Sequence, residues 1–296
     1  MRITNKTGLP EPLVAALRND DYTRGAADIS ATGLIAPARK VALEEMYADR
    51  LEEDAADKAA ILIGKAVHQF IAAKATGDLS DKKRLMMAVN GWVISGQTDH
   101  VDDEMFTVDG GRIIDYKSTK VSEWRFGLRE ERAQQLNIYA EILRANGYTV
   151  TGLAAVLIFK DWSHPEAARK NSDDYPPHDI VEVEVPLWPQ AQAQAYILGR
   201  VKAHQAARVE LPPCSDEERW LRGEAWAVRK LGNKAATKNH PVEADAIAHA
   251  AQLNDGKPSV GYVVEHRPGV YNRCEWYCTV GAMGLCSQWN AERGDK

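Results

Sequence analysis

The residues best suited to chemistry stand in one short stretch, IIDYKSTK, Ile113 to Lys120. Two β-branched apolar residues lead into an acid, an aromatic, a lysine and two hydroxyls. On an extended strand, residues two apart project to the same face, so Asp115 and Lys117 stand side by side while Tyr116 turns away. At an exposed strand end such a pair is a surface ion pair of little energetic worth. At a reacting centre the carboxylate holds a hard cation and the ammonium faces the same reacting group. Spacing alone does not choose between these. The D-x-K pattern also stands at Asp81–Lys83, in the charged segment SDKKR, and at Asp255–Lys257, in the turn-like NDGKP. The middle instance alone ends an apolar β-branched run.

Three other stretches lie where a metal centre at Asp115 needs them. GQTDHVD puts Asp99 on a strand expected to pair with the IIDYK strand. A second carboxylate from a neighbouring strand is what an oxygen-ligated cation requires. GKAVH puts His68 on a helix one element earlier. An imidazole there completes a set of two carboxylates and one histidine, although a lone helical histidine is more often structural. QLNIY puts Gln135 and Tyr139 four apart, on one face of the helix that follows the IIDYK strand. These two also read as a polar face and a core tyrosine.

The elements that would position these residues alternate between helix and strand. PLVAALRN reads as a short helix, and Ser30 or Thr32 as a cap before Leu34. A helix follows from about Ala38. DKAAILIGKAVHQFIAAKATG reads as an amphipathic helix with apolar spacing at Ile61, Val67 and Ile71. From Leu85 the pattern switches to period two, with turns at DDE and at Asp109–Gly111. FGLREERAQQLNIYAEILRANGY is a helix stopped by Gly147. GLAAVLIFKDW is a buried strand, IVEVEVPLW an alternating one, and a long helix begins at Pro189. The fold class expected is α/β: a central mixed β-sheet flanked by helices. Residues 1–210 form this core with an N-terminal helical segment, and residues 211–296 a small C-terminal module opened by Pro212-Pro213.

The 296 residues carry a net charge of −5, with 45% apolar and 27% charged residues, ordinary for a globular protein. The balance gives no bulk attraction to a polyanion, so nucleic-acid contact must come from local basic patches. No apolar run approaches a membrane span and no signal-peptide core opens the chain, which makes a cytoplasmic location the expectation. Four cysteines cluster late: Cys214 in LPPCSDEERW, then Cys274, Cys278 and Cys286 in RCEWYCTVGAMGLCSQW. Four thiolates suit tetrahedral Zn²⁺ or a [4Fe–4S] cluster. Zinc sites usually show C-x₂-C pairs, which this spacing lacks. Their clustering favours a metal or cluster site, an iron–sulfur cluster above zinc, over four reduced, buried cysteines.

In chain order, Gly64–His68, Gly96–Asp99, Asp115–Lys117 and Gln135–Tyr139 stand as G-x-x-x-H, G-x-x-D, D-x-K and Q-x-x-x-Y. Each piece is weak alone; four in order, each on its expected element, are specific. The set resembles the RecB-like branch of the PD-(D/E)XK nuclease superfamily, over roughly residues 30–190. The flanks ISATGLI and PPCSDEERW look like phage-type exonucleases of that branch. The resemblance implies a restriction-endonuclease-like core. It implies Asp99 and Asp115 as metal ligands with His68 and the Tyr116 carbonyl, and Mg²⁺ or Mn²⁺ as the ion. Lys117 would activate water and offset transition-state charge, with Gln135 and Tyr139 near the scissile phosphate. AddB and the CRISPR adaptation nucleases carry an iron–sulfur cluster held by one remote and three C-terminal cysteines. Here the remote cysteine follows the nuclease motifs instead of preceding them, and the cluster would tie residues 274–286 back to Cys214.

The function so implied is a metal-dependent DNA exonuclease in phage or bacterial recombination, repair or replication. Its partners would be DNA ends or single strands and a recombination protein, and its location the bacterial host cell if phage-encoded. Lys120, Arg125, Arg129 and Arg132, interleaved with Trp124, could track a nucleic-acid strand. Arg229, Lys230 and Lys234 form a second basic stretch. Solvated helix faces or loops explain both equally well. Rival readings are an endonuclease or flap nuclease of the same core, a non-catalytic nucleic-acid-binding protein with a structural cluster, and a redox or cluster-carrier protein.

Overall fold

The computed structural model describes residues 2–18, 25–72, 84–98, 100–101, 110–170, 174–256 and 261–294. The chain divides into two compact units, Met1–Pro212 and Pro213–Lys296. The first runs β1 (Arg2–Thr4), α1 (Glu11–Arg18), β2 (Ile29–Ser30), α2 (Ala31–Ile35), α3 (Ala38–Met46), β3 (Glu52–Asp54) and α4 (Ala59–Ala72). It continues through β4 (Leu85–Val89), β5 (Trp92–Gly96), β6 (His100–Val101), β7 (Gly111–Thr119), α5 (Ser122–Arg125) and α6 (Glu130–Ala145). It ends with β8 (Val150–Phe159), α7 (His164–Arg169), β9 (Ile180–Val185) and α8 (Gln190–Ala207).

The centre of this unit is a four-stranded mixed sheet in the order β6-β7-β8-β9. β7 and β8 are parallel, and the outer pairs are antiparallel. β8 reads VTGLAAVLIF, an almost unbroken apolar run, because neighbours flank it and both faces are covered. β9 reads IVEVEV and alternates between exposed and covered positions, as an edge strand with one wet face should. Two parallel strands need a crossover, and α5 and α6 supply it. Leu136, Ile138, Ile142 and Leu143 of α6 are buried in the main core with Ile113, Leu153 and Leu157 of the sheet. Gly147, at φ 88°, ends α6, with Tyr148 N–H bonded back to the Leu143 carbonyl at 3.1 Å.

Buried polar side chains fasten the surrounding pieces. Asn137 donates to the carbonyls of Ala133 and Pro186 and accepts from Trp188 N–H at 2.8 Å, which fixes the chain between β9 and α8. Arg200 of α8 donates to the carbonyls of Leu34 and Ala36, satisfying the end of α2. Ser30 accepts from Gly33 N–H at 3.1 Å and caps the start of α2.

Three expectations change. The strand reading through GQTD is divided: β5 pairs with β2 and β4 in one sheet, while β6 pairs with β7 in another. The helix expected from Phe126 begins at Glu130, and Ser122–Arg125 forms a short helix of its own. α4 forms, but none of its described side chains is fully buried, and Ile61, Ile63 and Phe70 are exposed.

The second unit contains β10 (Leu221–Arg222), β11 (Ala225–Lys230), β12 (Lys238–His240), α9 (Glu243–Leu253), β13 (Tyr262–Arg267) and β14 (Val270–Tyr271). A π-helical turn (Arg273–Tyr277), α10 (Thr279–Ala282) and α11 (Ser287–Gly294) complete it. β12-β11-β13 form a sheet, and α9 covers one face through Ala246 and Ala250 against Val228. Among the described residues of the chain, no helix is long and apolar enough to cross a membrane.

Candidate active site

Asp115 and Lys117 lie on β7 opposite Ala155 and Leu157 of β8, in the interior of the four-stranded sheet. Asp115 is 1% exposed. Lys117 Nζ stands 2.8 Å from its Oδ1 and 2.7 Å from its Oδ2. A carboxylate this dry needs a cation or several donors to remain charged. The surface-pair alternative for D-x-K is therefore set aside. Tyr116 lies between the two, half-buried and opposite Val156.

The other motif residues fall around this strand. Gln135 and Tyr139 sit on the buried face of α6, with Gln135 Nε2 donating to the Tyr139 hydroxyl at 2.8 Å. Gly96 closes β5 against this same tyrosine. A Cβ added there would stand 2.8 Å from Ile142 Cδ1 and 2.9 Å from Tyr139 Cδ1. Both neighbours are core residues, so the glycine is there because the tyrosine ring needs its space. Gly64 has no such reason, for a Cβ there meets nothing within 4 Å. His68 is half-buried on α4, which packs against β7. Asp99 lies outside the described residues. Among those described, no three His, Cys, Asp or Glu side chains gather as a metal-holding group.

Beyond Lys117 the strand enters a buried ion network that sequence reading misses. Glu123 of α5 is 5% exposed and accepts from the Thr119 hydroxyl and from Arg132 Nε at 2.8 Å and Nη2 at 3.0 Å. Burial pushes its carboxyl upward, but the bonds from Arg132 and Thr119 outweigh this and hold it below the ordinary value. Thr119 and Lys117 are two apart on β7, so Glu123 and Arg132 tie both crossover helices to the strand that carries the pair. The SEWR stretch looks like any polar turn, and nothing in its spacing marks Glu123 as internal.

The basic positions separate. Lys120, Arg125 and Arg129 are exposed, with Arg129 Nε 3.9 Å from the Glu123 carboxylate, whereas Arg132 is bonded to Glu123 at 2.8 Å and Trp124 packs against the main core. In the second unit Arg229 pairs with Glu265, while Lys230 and Lys234 are exposed.

The cysteine-bearing segments are tied to one another, but among the described residues no three of the expected ligands Cys214, Cys274, Cys278 and Cys286 gather as a metal-holding group. Gln288 bonds both the N–H and the carbonyl of Cys214, at 2.8 and 3.0 Å. A Cβ on Gly281 would stand 3.2 Å from the Cys274 carbonyl, 3.3 Å from Trp289 Cδ1 and 3.6 Å from Cys278 Cβ. Cys278 and Cys286 are buried, and burial pushes the Cys274 thiol up against the opposing effect of Arg219. Arg219 Nε and Trp289 Nε1 are buried without a hydrogen-bond partner.

The sequence profile of the PD-(D/E)XK nuclease superfamily matches residues 10–218, which span the four-stranded sheet and its crossover. The chain belongs to that superfamily, its α/β unit is consistent with the restriction-endonuclease-like core, and nuclease activity is what membership points to. Members typically use Mg²⁺ or Mn²⁺. A solved structure described as "Crystal structure of SSO0001" shares 16% identity, covering 71% of this chain and 86% of that one at a TM-score of 0.44. A comparison with curated proteins gave no match.

Proposed function

We propose that the chain is a metal-dependent DNA exonuclease of the RecB-like branch. The observation that carries this is the buried Asp115–Lys117 pair inside the sheet of a superfamily nuclease core. The donor chemistry fits a hard cation: Asp115 offers a desolvated carboxylate, and Asp99, His68 and the Tyr116 carbonyl would complete the set. Imidazole beside carboxylates suits Mn²⁺ as well as Mg²⁺. Such an ion, when bound, acidifies a water and acts as a Lewis acid at the phosphate. Lys117 orients that water and offsets negative charge developing on the phosphoryl oxygens. Gln135 donates to the Tyr139 hydroxyl, and the two would stand near the scissile phosphate or support the ligands. Exposed Lys120, Arg125 and Arg129 follow the pair in sequence and suit phosphate contacts. The pathway this fits is recombination, repair or replication in a phage or bacterium, with a recombination protein as partner.

The four cysteines would hold a [4Fe–4S] cluster, with Zn²⁺ as the alternative. One observation supports this: Gln288 and Gly281 bring the segments of Cys214, Cys274 and Cys278 together, so binding would have to draw in thiols that, among the described residues, do not gather as a metal-holding group on their own. Visible absorbance and iron content of anaerobically purified protein test it. Colourless protein with stoichiometric zinc would favour the alternative.

The activity is tested on linear and covalently closed circular DNA with Mg²⁺, Mn²⁺ or EDTA, beside Asp115→Asn and Lys117→Ala. Linear DNA should disappear and circles survive, and each substitution should slow cleavage by about a hundredfold or more. Cut circles would replace the exonuclease with an endonuclease of the same core. DNA binding without cleavage under any metal would leave a binding protein.

A further inference from the structure

The second unit carries an aromatic surface that neither the metal centre nor the cysteine site uses. Trp276 and Tyr277 are 71% and 68% exposed, adjacent, and set on the π-helical turn. A π-turn is an uncommon element that tends to occur at functional positions. Beneath it lies Trp220, whose φ of 56° is a left-handed conformation that a bulky residue rarely adopts. The Trp220 ring stands 5.5 Å from Tyr277 at an interplanar angle of 65°, and the Arg273 guanidinium lies 4.0 Å over the Trp220 ring. Two backbone bonds lock the pieces together, from Asn272 N–H to the Trp220 carbonyl and from Arg273 N–H to the Arg219 carbonyl. A tryptophan in a left-handed backbone conformation thus stands against Tyr277, one of two adjacent displayed rings.

We propose that Trp276, Tyr277 and Trp220, with Arg273, form a stacking platform for the unpaired bases of single-stranded nucleic acid. Nucleic acid is the partner because the chain is a nuclease by family. Flat exposed rings accompanied by a guanidinium are what sequence-tolerant single-strand binding uses, since every base offers a π-face. The rings are not parallel. They suit a strand whose bases splay apart, whereas a duplex keeps its base faces inside a continuous stack. The surround is mixed in charge: Glu292 is paired with Arg219, but Glu275 sits on the same turn and the Asp216 carboxylate accepts from the Tyr271 hydroxyl, so the platform would hold a strand by its bases more than by its phosphates.

The inference rests on the nuclease reading for its partner, and its test is kept separate from cleavage. The full chain is titrated in EDTA against a labelled oligothymidine and against an abasic strand of equal length. Trp276→Ala and Tyr277→Ala should each weaken oligothymidine binding about tenfold. They should leave abasic-strand binding unchanged, and Trp276→Phe should retain most of the affinity. The platform is overturned if wild type binds both strands equally, or if the alanine variants lose both equally. An enzyme that never cleaves but binds in this base-dependent way leaves the platform standing and removes the nuclease reading alone.

Discussion

In the larger unit the buried carboxylates Asp115, Glu123 and Glu141 each meet a cation: Lys117, Arg132 and Arg144. In the smaller unit the buried Arg219 Nε and Trp289 Nε1 meet no acceptor, and both lie among cysteine-bearing segments. Buried polar atoms without partners are costly and uncommon. In the first region each of these carboxylates has its counter-charge, although the buried Arg112 Nε and Ser118 Oγ of β7 also meet no hydrogen-bond partner. In the second the Arg219 guanidinium is bonded to Glu292 and Cys274 through its other nitrogens, so the contrast is between carboxylate–cation pairs in one unit and an arginine set among thiol-bearing segments in the other.

Three substitutions sharpen that contrast. Glu123→Gln should have the largest effect, because it leaves Arg132 buried without its counter-charge. A loss of about 3 kcal/mol is expected in urea unfolding. The acid limb should change too. The carboxyl is held below its ordinary value of 4.5 in the folded state, so its stabilisation is full above that value and disappears as pH falls through the folded pKa. Unfolding of wild type should therefore steepen on acidification in a way the glutamine variant does not share. An unchanged acid limb would mean the network contributes nothing specific.

Gly96→Ala comes next. It drives a methyl into Tyr139 and Ile142, at an expected cost of about 2 kcal/mol in thermal unfolding. Cleavage should drop with it, because the tyrosine ring is what must move. Full activity with intact stability would show that Tyr139 has slack the structure does not suggest. The smallest effect belongs to Gln288→Ala, which removes two bonds to the Cys214 backbone and should cost about 1 kcal/mol. That loss should shrink in iron-loaded protein, where the ligands themselves would hold Cys214. A loss of the same size with and without iron would remove Cys214 from the ligand set.

Much of the core was readable because burial leaves a direct mark on sequence. β8 announces itself as an apolar run too short for a helix, β9 by its alternation, and α6 by its period and its terminal glycine. The Asp115–Lys117 pair was readable because a charge pair at the end of a β-branched run is locally inconsistent unless something compensates it. Glu123 was not, since a glutamate in a short polar segment looks solvated until Arg132, nine residues on, is folded over it. The left-handed Trp220 and the π-turn carry no periodic signal, because each is imposed by contacts between distant segments. The division of the strand at Gly96 carries no local signal either. The glycine shows up in a motif, but its packing against Tyr139 appears only when α6 is in place.

β7, α5, α6 and β8 follow one another directly along the chain. Asp115, Lys117, Glu123, Arg132, Gln135 and Tyr139 therefore all belong to one parallel pair and its crossover. Their mutual contacts close short loops, and short loops close quickly. During synthesis this segment emerges before β9 and α8 do, so the heart of the unit can begin to assemble on the nascent chain, with the later elements added as cover.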